Sequence, residues 1–428
     1  MTTISFPNAM RIGFRKTEIT PPEGIVLGGY AGYRPCGGTH DPLFCRAVVL
    51  EQAGIRFCLI ALDLLCVDEA LYRRIARRVA GLGIGPERLI VSAIHSHAAP
   101  QGVIPGEGAL AAVNCTPWEN TPEFRAYTDD VIRQAEAACR GAIETLEPFR
   151  VRTARGSTPP VGSERHTGAV PGGELTVIQF RTDSGKLLTL YNFPCHPTVL
   201  GPDNLLASAD FTAGIEALLG GEMAVFLNGA AGDISTRFTR RESTFRECVR
   251  MGQLAAEHIL AAIQSLPFTP PEPLRGIHAT ITLKPRPIEA VKTAEAELQQ
   301  RTAQWEAAQA AGADATELRL LKTYVEGAWV NLEFAKTMAG IRQLDLPVTV
   351  FRFAGLEFAT VPGELFSTLQ PEGLSVIAYA NGYFRYICPE AAYEANHYET
   401  MAAIVARGEG ERLIDSIQQL RRQLRDNQ

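Results

Sequence analysis

The sequence lacks several patterns that would assign it to a familiar class of protein. It has no Cys-x-x-Cys pair among its nine cysteines, no long run of like charge, and no apolar stretch of membrane-spanning length. These absences argue against a zinc finger, a nucleic-acid-binding face and a transmembrane segment. The formal net charge of −6 and the pI near 5.9 agree, because neither favours binding to nucleic acid or an anionic membrane.

Several catalytic motifs are also missing. The chain contains no GxSxG elbow, no HExxH pair, no Walker loop and no GxGxxG after a strand. Serine hydrolases with a nucleophile elbow, zincins, NTPases and dinucleotide-binding enzymes therefore lose their main support.

The start of the chain and the setting of its cysteines bear on the compartment. MTTISFPNAMRIGFRK has no basic segment followed by an apolar stretch and a cleavage site, so we predict a soluble, cytoplasmic protein. Most cysteines lie in apolar runs such as FCLIALDLLC, where a thiol acts as a small hydrophobic group in a reducing compartment.

What the sequence does contain is a series of strand-like runs that end in polar corners. Residues 56–97 alternate an apolar run, a helical stripe of Leu71, Ile75 and Val79, and a second apolar run, which predicts a βαβ unit. Such a unit places Asp63 and His95 at the carboxyl ends of adjacent parallel strands, the usual ligand-binding edge of an α/β sheet.

Four later segments have the same form. Each is an apolar run that ends in a Gly- or Pro-marked corner with polar groups: KLLTLYNFPCHPTVLG, MAVFLNGAAGDIST, LEFATVPGELF and LSVIAYANGYFRY. Five corners of this kind predict one shared pocket.

Residues 288–340 differ in composition, being rich in Ala, Glu, Gln and Leu with apolar residues at helical spacing. Asp314 and Glu317 form a capping-box pattern, so we predict a helical hairpin broken near Gly312 that serves as a lid or brace. The expected fold is α/β, with mixed β-sheets flanked by helices and this hairpin inserted in a single domain of residues 1–428.

The histidine pair of VSAIHSHAAPQG raises the question of a metal. In an extended strand, residues i and i+2 point to the same face, so His95 and His97 can aim two imidazoles into one cavity. Two loop histidines bonded to the backbone explain the pair equally well. His196 and Glu364 follow other strands, and two histidines with a carboxylate are typical of catalytic zinc, although each alone also fits a structural role.

The corner NGAAGDIST brings small residues around Asn228, Asp233 and Ser235. Backbone N–H groups near Gly232 could bind an oxyanion or carbonyl, and a tight turn with local side-chain bonds is an equal alternative. His40 and Asp41 are best explained as a turn that leads into a strand.

In this order, the corners resemble the neutral/alkaline non-lysosomal ceramidase family, zinc amidases that cleave the N-acyl bond of ceramide. The matching segments are IHSHAAPQG, NFPCHPTVLG, NGAAGDIS, VPGE and YFRYICPEAAYEANHYE, which together span nearly the whole chain. The resemblance implies Zn²⁺ held by His95, His196, Glu364 and Tyr386.

The resemblance also implies roles for other side chains. His97 would transfer protons, Ser235 matches the family's active-site serine, and Tyr398 and Arg165 match substrate-contacting residues. The implied reaction is hydrolysis of an amide by a zinc-activated water, with Ser235 and the loop around Gly232 steadying the tetrahedral oxyanion. A covalent role for Ser235 stays open.

The sequence departs from the family at the pocket loops. AAPQG stands where the family has Ser-Gly-Pro-Gly-Gly, and Thr236 stands where proline is usual. We also expect a short relative, without the immunoglobulin-like domain that ends ceramidases. These departures favour a smaller, more soluble N-acyl compound or ester over ceramide, although a lipid-like substrate stays open.

Three alternatives remain. They are an esterase or lactonase on the same zinc site, a non-catalytic metal-binding relative, and a metal-independent hydrolase that uses Ser235.

Overall fold

The computed structural model describes residues 1–6, 10–171, 174–395 and 397–426. The strands, in chain order, are β1 (Thr2–Phe6), β2 (Arg11–Glu18), β3 (Phe44–Gln52), β4 (Ile55–Leu62), β5 (Leu89–Ala93), β6 (Glu147–Ser157), β7 (Ser163–Glu164), β8 (Glu174–Thr182), β9 (Leu187–Phe193), β10 (Met223–Asn228), β11 (Ile234–Ser235), β12 (Leu274–Leu283), β13 (Leu344–Phe353), β14 (Leu356–Thr360), β15 (Glu364–Leu365), β16 (Ser375–Ile377) and β17 (Tyr386–Ile387). The helices are α1 (Glu69–Ala80), α2 (Ala111–Asn114), α3 (Pro122–Glu144), α4 (Ile215–Leu219), α5 (Phe245–Ile263), α6 (Val291–Ala310), α7 (Ala315–Thr337), α8 (Ala392–Ala395), α9 (Tyr398–Met401) and α10 (Glu409–Asp426).

Two large mixed sheets form the body of the protein. One has eight strands in the order β10-β9-β8-β6-β2-β3-β4-β5, and the other has five in the order β1-β12-β13-β14-β16. The pairs β4–β5, β9–β10 and β14–β16 are parallel, and the other pairs within these two sheets are antiparallel. Helices lie against both sheets, which confirms the predicted fold class.

The strand sequences are continuous apolar runs because successive side chains point to opposite faces of the sheet and both faces are buried. In β3, Ala47 and Val49 join the core under the helices, whereas Val48 and Leu50 join the core between the two sheets. Because both faces of the strand are covered, both sets of side chains must be apolar. The same alternation in β13 places Val350 in one core and Phe351 in the other.

The predicted βαβ unit is confirmed by β4, α1 and β5. Asp68 caps α1 by accepting a 2.7 Å hydrogen bond from the N–H of Leu71, and six apolar side chains of the helix are buried. Asp63, however, does not face the pocket. Its carboxylate binds Arg46 Nη1 at 2.7 Å and the N–H of Phe44 at 2.8 Å, so it stabilises the sheet.

The helical insertion is also confirmed, as α6 and α7. Asp314 Oδ1 accepts from the N–H of Glu317 at 2.9 Å, and Gly312, at φ +76°, breaks the hairpin as predicted. α7 packs against α9, the short helix that begins with Tyr398. Within the part of the chain that the structure describes, no helix is both long and apolar enough to cross a membrane.

The eight-stranded sheet curls so that its edge strands β5 and β10 approach each other. The segment after β16 fills the gap between them. Ala378 N–H donates to Asn228 O at 2.9 Å on the β10 side, and Asn381 N–H donates to Val91 O at 2.8 Å on the β5 side. Corners from both sheets therefore meet at one place.

Candidate metal centre

His95 lies just beyond β5 in a left-handed backbone conformation with φ +71°. Its Nδ1–H donates to the carbonyl of Leu65 at 2.7 Å, so the Nε2 lone pair is the free one. A non-glycine residue with this φ costs conformational energy, and such residues are typical of functional sites. Neighbouring backbone hydrogen bonds keep His95 in this conformation, including the bond from His95 N–H to Leu64 O at 3.0 Å.

His196 is anchored in the same way after β9. Its Nδ1–H donates to Ile234 O at 3.0 Å, and its Nε2 lies 3.0 Å from Glu364 Oε2. Burial, together with the nearby Arg165 guanidinium, lowers the pKa of His196 to about 4. The imidazole is therefore neutral at pH 7 and presents a lone pair at Nε2.

Glu364 follows β14 and begins the short strand β15. Its Oε2 lies 3.0 Å from His196 Nε2 and 3.4 Å from His95 Nε2, and its Oε1 accepts from the Tyr383 hydroxyl at 2.5 Å. Burial raises the pKa of this carboxyl, whereas a proton on either neighbouring imidazole would hold it well below its usual value. The group is ionised at neutral pH.

His97 completes a cluster of three imidazoles. One nitrogen from each of His95, His97 and His196 lies within 4.8 Å of the others, and His97 Nε2 is 3.4 Å from His95 Nε2. Burial, then the neighbouring imidazoles, lower the pKa of His97 well below 6.5. Its Nδ1 is buried and has no hydrogen-bond partner among the described residues.

This donor set fits a cation. With both Nδ1 atoms donating to carbonyls, His95 and His196 direct lone pairs at a carboxylate oxygen that also only accepts. The carboxylate oxygen lies 3.0 and 3.4 Å from the two imidazole nitrogens, and these three acceptor atoms repel one another unless a positive charge, a proton or a metal ion, lies among them. Neutral imidazoles and a carboxylate are ligands that zinc favours, so these residues could hold a metal ion.

Tyr386 lies beside Glu364 because β15 and β17 pair in register at these two residues. Its hydroxyl accepts a 3.3 Å hydrogen bond from Arg165 Nη1, and its ring meets that of Tyr398 edge-on at 6.1 Å. Burial and the Glu364 charge raise the pKa of Tyr386 well above 10. A bound cation would act in the opposite direction.

Arg165 is itself held by Glu399. The Arg165 Nη1 atom lies 2.9 Å from Glu399 Oε1, and His166 Nε2 lies 3.1 Å from Glu399 Oε2. Burial raises the pKa of this carboxyl, but the hydrogen bond from His166 and the charge of Arg165 lower it to about 2. The ion pair fixes the guanidinium over Tyr386.

Ser235 lies next to His196, because the two residues form an isolated parallel bridge. Its Oγ accepts a 3.4 Å hydrogen bond from the N–H of Arg237, which is a backbone donor and not an imidazole. Across the β7–β11 pair, Ser235 faces Ser163, whose buried hydroxyl has no described partner.

Two N–H groups of the loop around Gly232, which we predicted to steady an oxyanion, are bonded within the fold. The N–H of Gly232 already donates to Leu365 O at 2.8 Å, and that of Gly229 to Phe193 O at 3.0 Å. A Cβ on Gly232 would lie 2.6 Å from Glu364 O, so this glycine allows β15 to approach. Its role is to position Glu364.

Asn228 and Asp233 both bond to segments that are distant in sequence. Asn228 Nδ2 donates to Ile94 O at 3.1 Å and Cys195 O at 3.0 Å, which ties the corner of His95 to that of His196. Asp233 accepts from the backbone and side chain of Ser367.

Sequence reasoning did not identify two tyrosines at the centre. Tyr383 holds Glu364, and Tyr379 stacks on His95 with ring centroids 4.1 Å apart. Both lie in the quoted segment YANGYFRY. The sequence showed only that several tyrosines follow one strand, and this clustering does not indicate which of their side chains face the site.

The comparisons with known proteins agree with this architecture. Neutral ceramidase from Pseudomonas aeruginosa superposes with a TM-score of 0.72 at 16% identity, covering 97% of this chain and 74% of that one. A structure described as ceramidase complexed with C2 superposes with a TM-score of 0.70 at 17% identity, covering 98% and 75%. No protein-family model matches the sequence, and no curated protein matches it significantly. The chain has a neutral ceramidase-like fold, as the sequence motifs predicted.

Proposed function

We propose that the protein is a zinc-dependent hydrolase that cleaves an N-acyl amide bond. The observation that carries the proposal is the convergence of His95 Nε2, His196 Nε2 and Glu364 Oε2, three acceptors with 3.0 and 3.4 Å between the carboxylate oxygen and each imidazole. The likeness in fold to neutral ceramidase supports amide hydrolysis, and the donor set supports zinc.

His95, His196, Glu364 and Tyr386 would hold the ion. Bound zinc supplies a Lewis acid and a water of lowered pKa. The other features of the site come from the chain. Anchoring of the two Nδ1 atoms fixes the direction of both imidazoles, and Tyr383 fixes the rotation of the Glu364 carboxylate.

Arg165 would help Tyr386 to act as a metal ligand. A guanidinium 3.3 Å from the Tyr386 hydroxyl favours the phenolate that a metal ligand must become. Arg165 can do so only while Glu399 holds it in place. Arg165 and Tyr398 would also contact the substrate.

His97 would carry the proton. Its lowered pKa keeps the imidazole neutral, and its Nδ1 is not committed to any described partner. A neutral imidazole next to the reacting atoms can take a proton from the attacking water and return it to the leaving amine. Ser235, beside His196, would hydrogen-bond the acyl group.

The first test is the metal content of protein purified without added metal, by elemental mass spectrometry. We expect about one zinc per chain, lost in His196→Ala. The same preparation is assayed on aminocoumarin amides with acetyl, hexanoyl and dodecanoyl groups and on matching coumarin esters. Turnover of amides that disappears with a chelator supports the proposal. Chelator-resistant turnover would instead favour Ser235 as the nucleophile, and zinc-dependent turnover of esters alone would favour an esterase.

A further inference from the structure

Tyr379 has an unusual combination of properties. It follows β16, is fully buried, and its hydroxyl has no hydrogen-bond partner among the described residues. Its backbone is left-handed, with φ +54°. A buried hydroxyl without a partner and a positive φ on a bulky residue each cost stability.

The position of Tyr379 is fixed from both sides. The N–H of Ala93, at the end of β5, donates to Tyr379 O at 3.1 Å, and Tyr379 N–H donates to Gly363 O at 3.2 Å. The residue is therefore wedged between the corner that carries His95 and the corner that carries Glu364. The strain results from this wedging.

The ring lies directly at the metal centre. It stacks on the His95 imidazole with the planes at 22°, and it meets the His196 ring at 89° with centroids 6.3 Å apart. A phenol carries its proton at neutral pH, so the Tyr379 hydroxyl can donate a hydrogen bond.

Other buried tyrosines show what a structural hydroxyl looks like in this protein. Tyr127, on α3, donates to Ile19 O at 2.9 Å, and Tyr72, on α1, donates to Pro86 O at 2.9 Å. Tyr379 has neither such a partner nor a relaxed backbone. Strain combined with an unsatisfied polar group is expected where function requires it.

We propose that Tyr379 Oη donates a hydrogen bond to the acyl carbonyl oxygen of the substrate at the metal centre, as a further catalytic residue. The inference rests on the proposed function. A carbonyl oxygen is an acceptor that supplies the missing partner. Negative charge grows on that oxygen as water adds to the carbonyl carbon, so the hydrogen bond strengthens in the transition state.

The test compares zinc-loaded wild type, Tyr379→Phe and the control Tyr127→Phe. Phenylalanine keeps the ring that stacks on His95 and removes only the hydroxyl. We measure zinc content, Tm, turnover of the aminocoumarin amides, and the Kd of acetohydroxamate, which places a carbonyl on zinc. The last readout does not depend on activity.

For Tyr379→Phe we expect unchanged zinc content, an unchanged or higher Tm, a kcat/KM lower by roughly 10–1,000-fold, and a Kd raised about 5-fold. For Tyr127→Phe we expect a Tm lower by roughly 1–4 °C with kinetics and Kd unchanged, because Ile19 O loses its donor. The two variants should therefore change stability and activity in opposite ways.

A lower Tm for Tyr379→Phe with an unchanged acetohydroxamate Kd would overturn the inference and show that the hydroxyl is satisfied within the fold. If wild type binds zinc and acetohydroxamate but cleaves no amide, amide hydrolysis fails as a function while the Kd comparison still decides the role of Tyr379. If wild type binds neither, both proposals fail.

Discussion

The three imidazoles of the centre differ in what holds the second ring nitrogen. His95 and His196 each donate Nδ1–H to a carbonyl, whereas His97 Nδ1 has no described partner. An anchored imidazole presents a fixed lone pair to a cation, and an unanchored one can accept and release a proton. His97 nevertheless has its Nε2 only 3.4 Å from that of His95, so a ligand role needs a direct test.

We predict that His97→Ala keeps about one zinc per chain and lowers kcat by roughly 10²–10⁴-fold, because it removes a proton carrier and no ligand. Elemental mass spectrometry and turnover of the aminocoumarin amides measure the two effects. His258→Ala, on α5 and bonded to Ser157, is the control and should change neither. Loss of zinc in His97→Ala would make His97 a ligand.

At this scale, residue chemistry could predict much of the centre. Histidines and a glutamate placed directly after apolar runs indicated a pocket, and the structure brings His95, His97, His196 and Glu364 together. The sequence could not indicate that Asp63 pairs with Arg46, because that contact depends on the register of β3 against β4. Nor could it tell Tyr379 from Tyr383, since the turn between them decides which ring stacks and which hydroxyl donates.

Among the elements of the fold, strands of only two residues carry three of the predicted site residues. Glu364 lies in β15, Tyr386 in β17 and Ser235 in β11, and none of these strands is long enough to give a periodic signal. The long strands and the hairpin α6–α7 were predictable because their apolar patterns repeat. The short strands are fixed by contacts with distant segments, such as Gly232 N–H to Leu365 O.

Gly232 gives a prediction about β15. In Gly232→Ala the new Cβ would lie 2.6 Å from Glu364 O, so the strand must move and the carboxylate must shift from the imidazoles. We expect zinc affinity to fall roughly 10–100-fold, measured by competition with a chromophoric chelator. Gly214→Ala is the control, because it has ordinary helical φ and open space around its Cβ. Equal affinity in both variants would show that β15 tolerates the methyl group.

In the whole molecule, the centre exists because two sheets meet. His95, His196 and Asn228 come from the curled eight-stranded sheet, whereas Glu364 and Tyr379 follow strands of the five-stranded sheet. The sequence predicted that the corners share a pocket, but not that they belong to two sheets. Strands such as β2 and β6 pair although they lie more than a hundred residues apart in the sequence, and no local pattern indicates which distant strands will pair.

The five-stranded sheet is in turn fastened to α10 by Glu357 on β14. Its carboxylate accepts from Arg421 Nε at 2.9 Å and from Arg425 Nε at 2.7 Å. Burial raises the pKa of Glu357, but these two guanidiniums lower it from 4.5 to about 2. Because the folded pKa is the lower one, the stabilisation is complete above pH 4.5 and is lost as the pH falls toward 2.

Glu357→Gln should therefore reduce the free energy of unfolding by roughly 1–3 kcal/mol at pH 7 and by clearly less at pH 3, where the wild-type carboxyl is already almost fully protonated in the unfolded chain. Urea unfolding of metal-free protein at both pH values measures the difference. Removing the metal keeps pH-dependent metal binding out of the comparison, and histidine titration cancels because wild type and variant share it. Glu272→Gln is the matched control, since Glu272 pairs with Arg352 on β13 of the same sheet and this pair is 3.5 Å long and exposed. If Glu357→Gln lowers the free energy of unfolding equally at both pH values, packing and neutral hydrogen bonds hold α10 in place. If the loss is smaller at pH 3 while that of Glu272→Gln does not change with pH, the charge of Glu357 holds the last helix against the sheet that Glu364 follows.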